Sequence, residues 1–449
     1  ADMKKGYRQW IQLISSVVIV IALIIALIHR GVIPKFWEPD TEPATEVMAP
    51  ADGTEPPQPQ TDPAKVQEEP DEMQQEDGDE AVDEEPSDEP DVSETVEEAD
   101  PAQQLEDYLA QDPRQPREAK GIFITGAVAG TQNTMPELTK LVEDTSLNAM
   151  VIDIKNDSGE VTYDMGLPLA EEIGAQTRYV SDMPGLIQQL KEKDIYLIAR
   201  IVAFKDPILA EKEPKYAVKN PDGSVFHDNN DLAWVNPYQE EVWDYLIDLS
   251  KEAVALGFDE IQYDYIRFST AQGIADADFG PEAEGKTRQD AITGFLTKAY
   301  ETLAPIGVFV SADVFGTIIC NETDGQLIGQ DYVEMAKHCD YICPMVYPSH
   351  YVNNAYGIPV PDAAPYDLIY ASVADGEQRL DEARAADPRI HIARQRPWLQ
   401  AFTATWVDGH IPYGGQQLSD QIRGAADAGV EEWLLWNAAN NYDKVKSGL

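Results

Sequence analysis

Short apolar runs recur along the chain from residue 121 onward, and segments with helical spacing separate them. Eight of these runs have the length and the β-branched or aromatic content of strands. They are GIFITG from residue 121, AMVIDIK from 149, YLIARIVAF from 196, EIQYDYIRF from 260, VFVSADVFG from 308, YICPMVYP from 341, PWLQAFT from 397 and EEWLLWNAA from 431. Strands that alternate with helices in this way predict an α/β fold, the (β/α)8 TIM barrel. A doubly wound open sheet is the alternative, although no G-x-G-x-x-G phosphate loop follows the first strand.

The clearest helix is predicted over residues 237–256. Asn236 can cap its start and Gly257 can end it. Two connections, 205–235 and 349–376, are long for such a barrel, and we expect the first to form part of a lid or cleft wall.

The N-terminal part has a different character. Residues 11–28, with the sequence IQLISSVVIVIALIIALI, are almost wholly apolar and long enough to span a bilayer. We expect a transmembrane helix here, within an N-terminal membrane anchor of residues 1–36. Lys4, Lys5 and Arg8 precede the apolar run and favour an N-terminus inside the cell. A cleaved signal peptide is the alternative, and either arrangement makes the rest of the chain extracellular.

Residues 37–117 are dominated by Glu, Asp, Pro, Gln and Ala. This composition buries too little apolar surface to offset the entropy of ordering, so we expect a disordered acidic linker. Our hypothesis is that it is a spacer, holding a globular domain of residues 118–449 away from the cell membrane. An acidic tail that binds a basic partner is the alternative.

Charge and cysteine content narrow the classes of function. The chain has 81 acidic residues against 33 basic ones, a net charge of −48. This balance argues against nucleic-acid binding, because phosphate contacts need clustered Lys and Arg. The cysteines, Cys320, Cys339 and Cys343, are too few for a disulfide framework. We interpret them as small buried side chains, with a Cys320–Cys339 bridge left open.

Polar and aromatic residues occupy alternate positions of the predicted strands. Asp264 lies in the fourth strand, where an unpaired buried carboxylate costs several kcal/mol. In a barrel, such positions point inward, and those near the C-terminal strand ends form the active site. The other positions of this kind are Asp153 with Lys155, Arg200, Gln262, Ser311 with Asp313, Met345 with Tyr347, Trp398 with Gln400, and Trp433 with Asn437. A ligand site explains them jointly, and an ion network that only closes the barrel is the alternative.

The residue types indicate a sugar ligand, because sugar rings stack on aromatic faces. Aromatic residues at strand ends or in long loops are Trp234, Tyr263, Tyr265, Tyr347, Tyr351, Trp398, Trp406 and Trp436. Glycoside hydrolysis requires two carboxyl groups that flank the scissile bond. We predict Asp264 and Asp313, on adjacent strands, as this pair, with Asp153 as a third candidate. Glu260 lies at the start of its strand, on the face associated with stability, and is excluded.

Several motifs resemble a known family. GFDEIQYDYIRF, VIDIKNDSGEVTYD, RIVAFKDP, WVNPY, SADVFG and PMVYPSHY, spread over residues 120–441, are similar to the glycoside hydrolase domain of bacterial surface proteins, an amylase-like (β/α)8 barrel. The resemblance implies that Asp264 is the strand-four carboxylate, acting as nucleophile or base. Asp313 departs from the amylase-like pattern, which has Glu at this place. Arg267 departs too, since it follows Asp264 instead of preceding it.

We therefore expect a membrane-anchored extracellular glycoside hydrolase that acts on a polysaccharide of the cell envelope, with Asp313 as the acid. The residues expected to contact or position the substrate are Asp153, Lys155, Arg200, Trp234, Gln262, Arg267, Tyr347, Trp398, Gln400 and Asn437. A carbohydrate-binding protein without catalysis on the same barrel is the alternative. No cofactor or metal is expected, because the histidines do not gather at the predicted strand ends.

Overall fold

The computed structural model describes residue 112 and residues 114–449. The predicted transmembrane helix and nearly all of the predicted acidic linker lie outside these residues. Within the part of the chain that is described, no helix combines the length and the apolar character needed to cross a membrane.

A closed barrel of parallel strands forms the centre of the domain. The strands are β1 (Lys120–Ile124), β2 (Ala149–Lys155), β3 (Tyr196–Val202), β4 (Glu260–Asp264), β5 (Phe309–Phe315), β6 (Tyr341–Met345), β7 (Arg394–Gln395), β8 (Trp398–Gln400) and β9 (Trp433–Trp436). Neighbouring strands pair in parallel from β1 to β6, β8 pairs with β9, and β9 pairs back with β1. Both β7 and β8 pair with β6 and fill one position of the barrel. The eight predicted strands therefore correspond to the eight barrel positions, and the TIM-barrel prediction is confirmed.

The seventh barrel position is divided because the chain passes through Arg396 and Pro397 between β7 and β8. Proline has no N–H to donate to a neighbouring strand, which favours a break at this point. The carbonyl of Pro397 still accepts a hydrogen bond from the Leu434 N–H, at 2.9 Å. The barrel therefore stays closed across the break.

Helices surround the barrel, and the longer ones connect successive strands. They are α1 (Gly126–Ala129), α2 (Thr134–Asp144), α3 (Pro168–Glu172), α4 (Met183–Glu192), α5 (Pro207–Lys212), α6 (Glu240–Leu256), α7 (Arg288–Leu303), α8 (Glu322–Ile328), α9 (Tyr332–Ala336), α10 (Pro365–Ala386) and α11 (Gly415–Asp427). Gly257 ends α6 with a φ of 105°, as predicted. The predicted cap at Asn236 is wrong, because α6 begins only at Glu240. The Asn236 side chain instead accepts the Tyr238 N–H at 3.1 Å.

The floor of the barrel, at the N-terminal strand ends, holds a buried ion network. Arg396 donates from Nη1 to both Glu260 oxygens, at 2.9 Å each, and from Nε to Glu432 at 3.0 Å. Ser311 and Tyr196 donate hydroxyl hydrogen bonds to Glu260, at 2.5 and 2.9 Å. Glu260 thus has four donated bonds in a fully buried place, which agrees with its exclusion from the predicted site.

The cysteines are all free thiols. Cys339 and Cys343 are buried, as expected, whereas Cys320 is exposed and the expectation of burial is wrong for it. The Cys320–Cys339 bridge that the sequence left open is absent. The thiols therefore add no crosslink to the barrel.

Candidate active site

Arg200 joins two carboxyl groups inside the mouth of the barrel, at the C-terminal strand ends. Its Nε and Nη2 donate to Asp264 Oδ2 at 3.0 and 2.5 Å, and its Nη1 donates to Asp153 Oδ1 at 2.5 Å. Asp153 pairs in register with Arg200 across β2 and β3. Asp264 is only 5% exposed. Its charge-assisted hydrogen bonds from Arg200 offset the cost of burying a carboxylate in this strand.

Asp264 is the last residue of β4, and the backbone turns sharply after it. Tyr265 has a φ of 48°, in the left-handed region that non-glycine residues seldom adopt. This turn brings the Tyr265 N–H within 2.6 Å of Asp264 Oδ1. The predicted strand, which continued to Phe268, was wrong at this end. The turn itself fixes the second oxygen of the carboxylate.

Asp313 lies on β5, next to β4, and faces the same interior. Gln262 and Ser311 are register partners, and Asp264 and Asp313 follow them by two residues on each strand. The indole N–H of Trp398 donates to Asp313 Oδ1 at 2.7 Å. Burial and the nearby negative charge of Asp264 raise the pKa of Asp313 well above its usual range. These surroundings favour the protonated form of the Asp313 carboxyl group.

Aromatic rings border this acidic centre on the side of β1 and β9. Phe123 and Trp436 stack with centroids 4.2 Å apart, and the Arg200 guanidinium lies 5.3 Å from each ring. Trp398 meets Trp436 edge-on at 5.7 Å. Phe123 was missed because the first strand contributes no polar residue. Its alternation with Ile122 and Ile124, which pack in a separate hydrophobic cluster, could have indicated that it points inward.

Tyr347 follows β6 and lies close to the same centre. Burial, together with the charges of Asp313 and Asp264, raises the pKa of its hydroxyl well above the usual range. The predicted residues Asp153, Arg200, Asp264, Asp313, Tyr347 and Trp398 are thus brought together at one mouth.

Lys155 does not join this group. The register of β2 against β3 shifts between Asp153 and Lys155, so that Lys155 pairs with Ile201. The predicted shared face of Asp153 and Lys155 is therefore wrong. Lys155 is fully buried, donates to the Val202 carbonyl at 2.7 Å and forms an ion pair with Asp206 at 3.0 Å. Burial lowers the pKa of Lys155, which suits a structural pair more than a substrate contact.

Gln262 lies one layer below the acidic centre. It is fully buried, and its Nε2 lies 3.5 Å from the sulfur of Cys343. Gln262 precedes Asp264 by two positions along the same strand, so both side chains lie on one face of it. It therefore supports the floor of the mouth.

Trp234 and Arg267 form a wall beside Asp264. The guanidinium of Arg267 lies 5.2 Å from the Trp234 ring, 5.0 Å from Tyr265 and 4.6 Å from Phe315. The indole N–H of Trp234 donates to Asp228 at 3.0 Å. Trp234 belongs to the long connection 205–235, and the role of this connection as part of a lid or cleft wall stays a prediction.

The comparisons with known proteins identify the family. Residues 121–442 match the family described as a “putative glycosyl hydrolase domain”. The chain belongs to this glycosyl hydrolase family. The resemblance seen in the motifs is thereby confirmed, and the enzyme class that the family indicates is a glycoside hydrolase.

Solved structures of this barrel type are similar to the glycosyl hydrolase domain. The glycoside hydrolase domain of PgaB (BpsB) from Bordetella bronchiseptica is 13% identical with a TM-score of 0.53, over 74% of this chain and 97% of that one. A hypothetical protein from Ruminiclostridium thermocellum is 39% identical with a TM-score of 0.40, over 43% and 97% of the chains. The alpha-galactosidase TtGalA from Thermus thermophilus is 14% identical with a TM-score of 0.42, over 75% and 62%. No curated protein matches the chain.

In this glycosyl hydrolase domain, Gln400 and Asn437 hold loops around the mouth. Gln400 Nε2 donates to Asp362 at 3.0 Å and to the Phe402 carbonyl at 3.1 Å, while its Oε1 accepts the Ser349 N–H at 3.1 Å. Asn437 donates to the carbonyls of Ala401 and Asn441 at 2.7 and 2.8 Å. Both side chains are buried and engaged by backbone groups. They position loops that border the site.

A metal centre does not emerge from the geometry. Among residues 112 and 114–449, no group of three or more His, Cys, Asp or Glu side chains is arranged to hold an ion.

Proposed function

We propose that this domain hydrolyses the glycosidic bonds of a polysaccharide, with Asp264 as nucleophile or base and Asp313 as general acid. The observation that carries the proposal is the contrast between two carboxyl groups on adjacent strands at one barrel mouth. Within residues 112 and 114–449, Asp264 accepts bonds from a guanidinium, whereas the Asp313 side chain accepts a bond only from a neutral indole N–H. Glycosidases use such a pair with opposite protonation states.

Each surrounding group supports one of these roles. The bonds from Arg200 and from the Tyr265 N–H orient the Asp264 carboxylate toward the mouth. Burial raises the pKa of Asp313 and so favours its protonated form, which can give a proton to the leaving oxygen of the sugar. The ring of Trp436, which is partly exposed and stacks on the buried Phe123, offers an apolar face for a sugar ring beside these carboxyls.

The decisive experiment assays new reducing ends after the full-length chain is incubated with a panel of polysaccharides that includes bacterial envelope preparations. We expect release by the parent chain and a loss of at least about 10²-fold in Asp264→Asn, which removes the nucleophile or base. Asp340→Asn is the matched control, because Asp340 is a buried, hydrogen-bonded aspartate at the opposite end of the barrel. Retention of parent and Asp264→Asn on one polymer without any release would favour a binding protein.

We also propose that the domain acts outside the cell, attached to the cell membrane by residues 11–28. The apolar run and the acidic segment after it support this location, and they favour a substrate in the cell envelope. We expect the chain in the membrane fraction, with its barrel open to protease added outside the cells. A chain lacking residues 1–36 should lose this attachment. Recovery of both chains in the same soluble fraction would contradict the anchor.

A further inference from the structure

A line of aromatic rings leads out of the mouth on the side of the loops after β6 and β8. Tyr347 lies 6.0 Å from Phe402, and Phe402 stacks on Trp406 at 6.0 Å with 19° between the ring planes. We call Tyr347, Phe402 and Trp406 the aromatic track. His350 flanks it, with its ring 5.2 Å from Tyr347 and 6.5 Å from Phe402.

Trp406, at the outer end of the aromatic track, is largely exposed to solvent, so packing in the core does not account for a large aromatic residue at this position. The Trp406 side chain is 51% exposed, although burying a large aromatic ring is among the more favourable steps in folding. Phe402 is half-buried and Tyr347 is buried. Exposure therefore rises steadily from the acidic centre to solvent along the three rings.

The loop that carries Trp406 is held in place. The Tyr413 N–H donates to Thr403 at 3.0 Å, and the Tyr413 hydroxyl donates to the Asp362 carbonyl at 3.1 Å. The Phe402 carbonyl accepts a bond from Gln400, which is fully buried. The exposed indole thus lies on a hydrogen-bonded loop and stacks on Phe402, which reduces the conformational entropy lost when a ligand stacks on it.

We propose that the aromatic track is a subsite that binds further sugar residues of an extended glycan, so that the domain engages a chain instead of a single terminal sugar. Three observations carry this inference: the spacing of the rings, the exposure of Trp406, and the position of Tyr347 beside Asp313 and Asp264. The C–H faces of sugar rings stack on such surfaces without needing charge. The inference rests on the proposed function and names its substrate class as a polymer.

The test compares Trp406→Ala with Tyr370→Ala, each in the full-length Asp264→Asn chain. Tyr370 is a matched control, because it is 44% exposed and stacks on Tyr366 at 6.2 Å on the outer helix α10. Affinity electrophoresis through gels containing each polysaccharide of the panel measures binding without catalysis. We expect Trp406→Ala to weaken binding of the recognised polymer about tenfold, Trp406→Phe to restore most of it, and Tyr370→Ala to match the parent.

A second readout separates this inference from the proposed function. In chains that retain Asp264, Trp406→Ala should raise KM for the polymer much more than it lowers kcat. If binding depends on Trp406 but the parent chain, which retains Asp264, hydrolyses none of the polymers, the hydrolase proposal is overturned while the proposed subsite is supported. Equal polymer affinity in Trp406→Ala, Tyr370→Ala and the parent, with unchanged midpoints of thermal unfolding, would overturn the proposal that the aromatic track binds sugar residues.

Discussion

Asp264 and Asp313 differ in the charge of the side chain that donates hydrogen bonds to each of them. Arg200 brings a positive charge to Asp264, while Trp398 gives Asp313 a donor without charge. A raised pKa means that Asp313 loses its proton only as the pH rises well beyond the usual range of a carboxyl group. The hydrolytic rate should therefore fall on the alkaline side as Asp313 ionises.

The role of Asp313 predicts a dependence on the leaving group. In Asp313→Asn, polysaccharide hydrolysis should fall about 10²- to 10⁴-fold, because the leaving oxygen then receives no proton. Aryl glycosides with acidic phenols need little protonation and should lose less than about tenfold. Initial rates on both substrate types check this, with Asp340→Asn as control. Equal losses on both types would remove the acid role from Asp313.

Asp153 predicts how stability depends on pH. Burial raises the pKa of Asp153 to about 6 against the lowering effect of Arg200, so the folded state binds this proton more tightly than the unfolded state. The stabilisation of the folded state by this proton on Asp153 is therefore fully present below about pH 4, and it is lost as the pH rises through about 6. The free energy of unfolding of the parent, relative to Asp153→Asn, should fall by about 1–3 kcal/mol between pH 4 and 7.

Urea titrations at several pH values measure this difference. Asp278→Asn, which changes an exposed carboxyl, is measured alongside as the control. Parallel curves for the parent and Asp153→Asn would show that Asp153 does not titrate in this range.

At the scale of elements, the same strands carry two separate polar networks. The floor network of Glu260, Arg396 and Glu432 lies at the N-terminal strand ends, and the acidic centre lies at the other ends. Strand β4 contributes Glu260 to the first network and Asp264 to the second. Stability and chemistry are therefore separable on this one strand.

Glu260→Gln should destabilise the fold without removing the chemistry. The change leaves the buried Arg396 guanidinium with less compensating charge, and the free energy of unfolding should fall by roughly 3–5 kcal/mol. The double variant Glu260→Gln with Arg396→Met should lose less than the sum of the single losses. Denaturant unfolding measures the stability, and the rate per folded molecule should match the parent. A single-variant loss below about 1 kcal/mol would contradict a structural ion pair.

The sequence allowed the eight barrel positions to be predicted because apolar runs follow from burial between barrel and helices. Side-chain directions were less predictable, since alternation holds only along a regular strand. The register shift after Asp153 turned Lys155 away, and the positive φ of Tyr265 ended β4 early. Both depend on contacts with distant parts of the chain. The hydrogen-bond partners of Gln400 lie in loops that no local sequence pattern reveals. Its contacts with those loops could therefore not be predicted from the sequence.

At the scale of the whole molecule, a residue that precedes the predicted domain start at 118 packs against the N-terminal ends of the barrel strands. Arg114 donates to Asp340 at 2.8 Å and to the Val308 carbonyl at 2.9 Å, and its guanidinium lies 4.7 Å from the Phe309 ring. The ion pair is largely buried, with side chains 7 and 8% exposed. The contacts of the barrel thus begin at least four residues before the predicted start at 118.

Arg114→Ala should lower the free energy of unfolding by roughly 2–4 kcal/mol, because it leaves the Asp340 carboxylate buried without its cation. Arg117→Ala is the matched control. Arg117 pairs with Asp194 at 2.9 Å, but both partners are more exposed, so its loss should stay below about 1 kcal/mol. Denaturant unfolding of both variants checks the difference. Equal losses of unfolding free energy in the two variants would show that the buried Arg114–Asp340 ion pair does not stabilise the barrel more than the exposed pair does.

The side-chain amide of Gln400 ties together segments near Ser349, Asp362 and Phe402 that are distant in sequence. A substitution that alters any one of these segments therefore disturbs the anchoring of the others. In this domain, the three segments would therefore have to be exchanged as a set to reshape this side of the mouth. Grafting a single loop from a relative, the usual route in barrel engineering, should fail at this side of the mouth unless its partners are transferred with it.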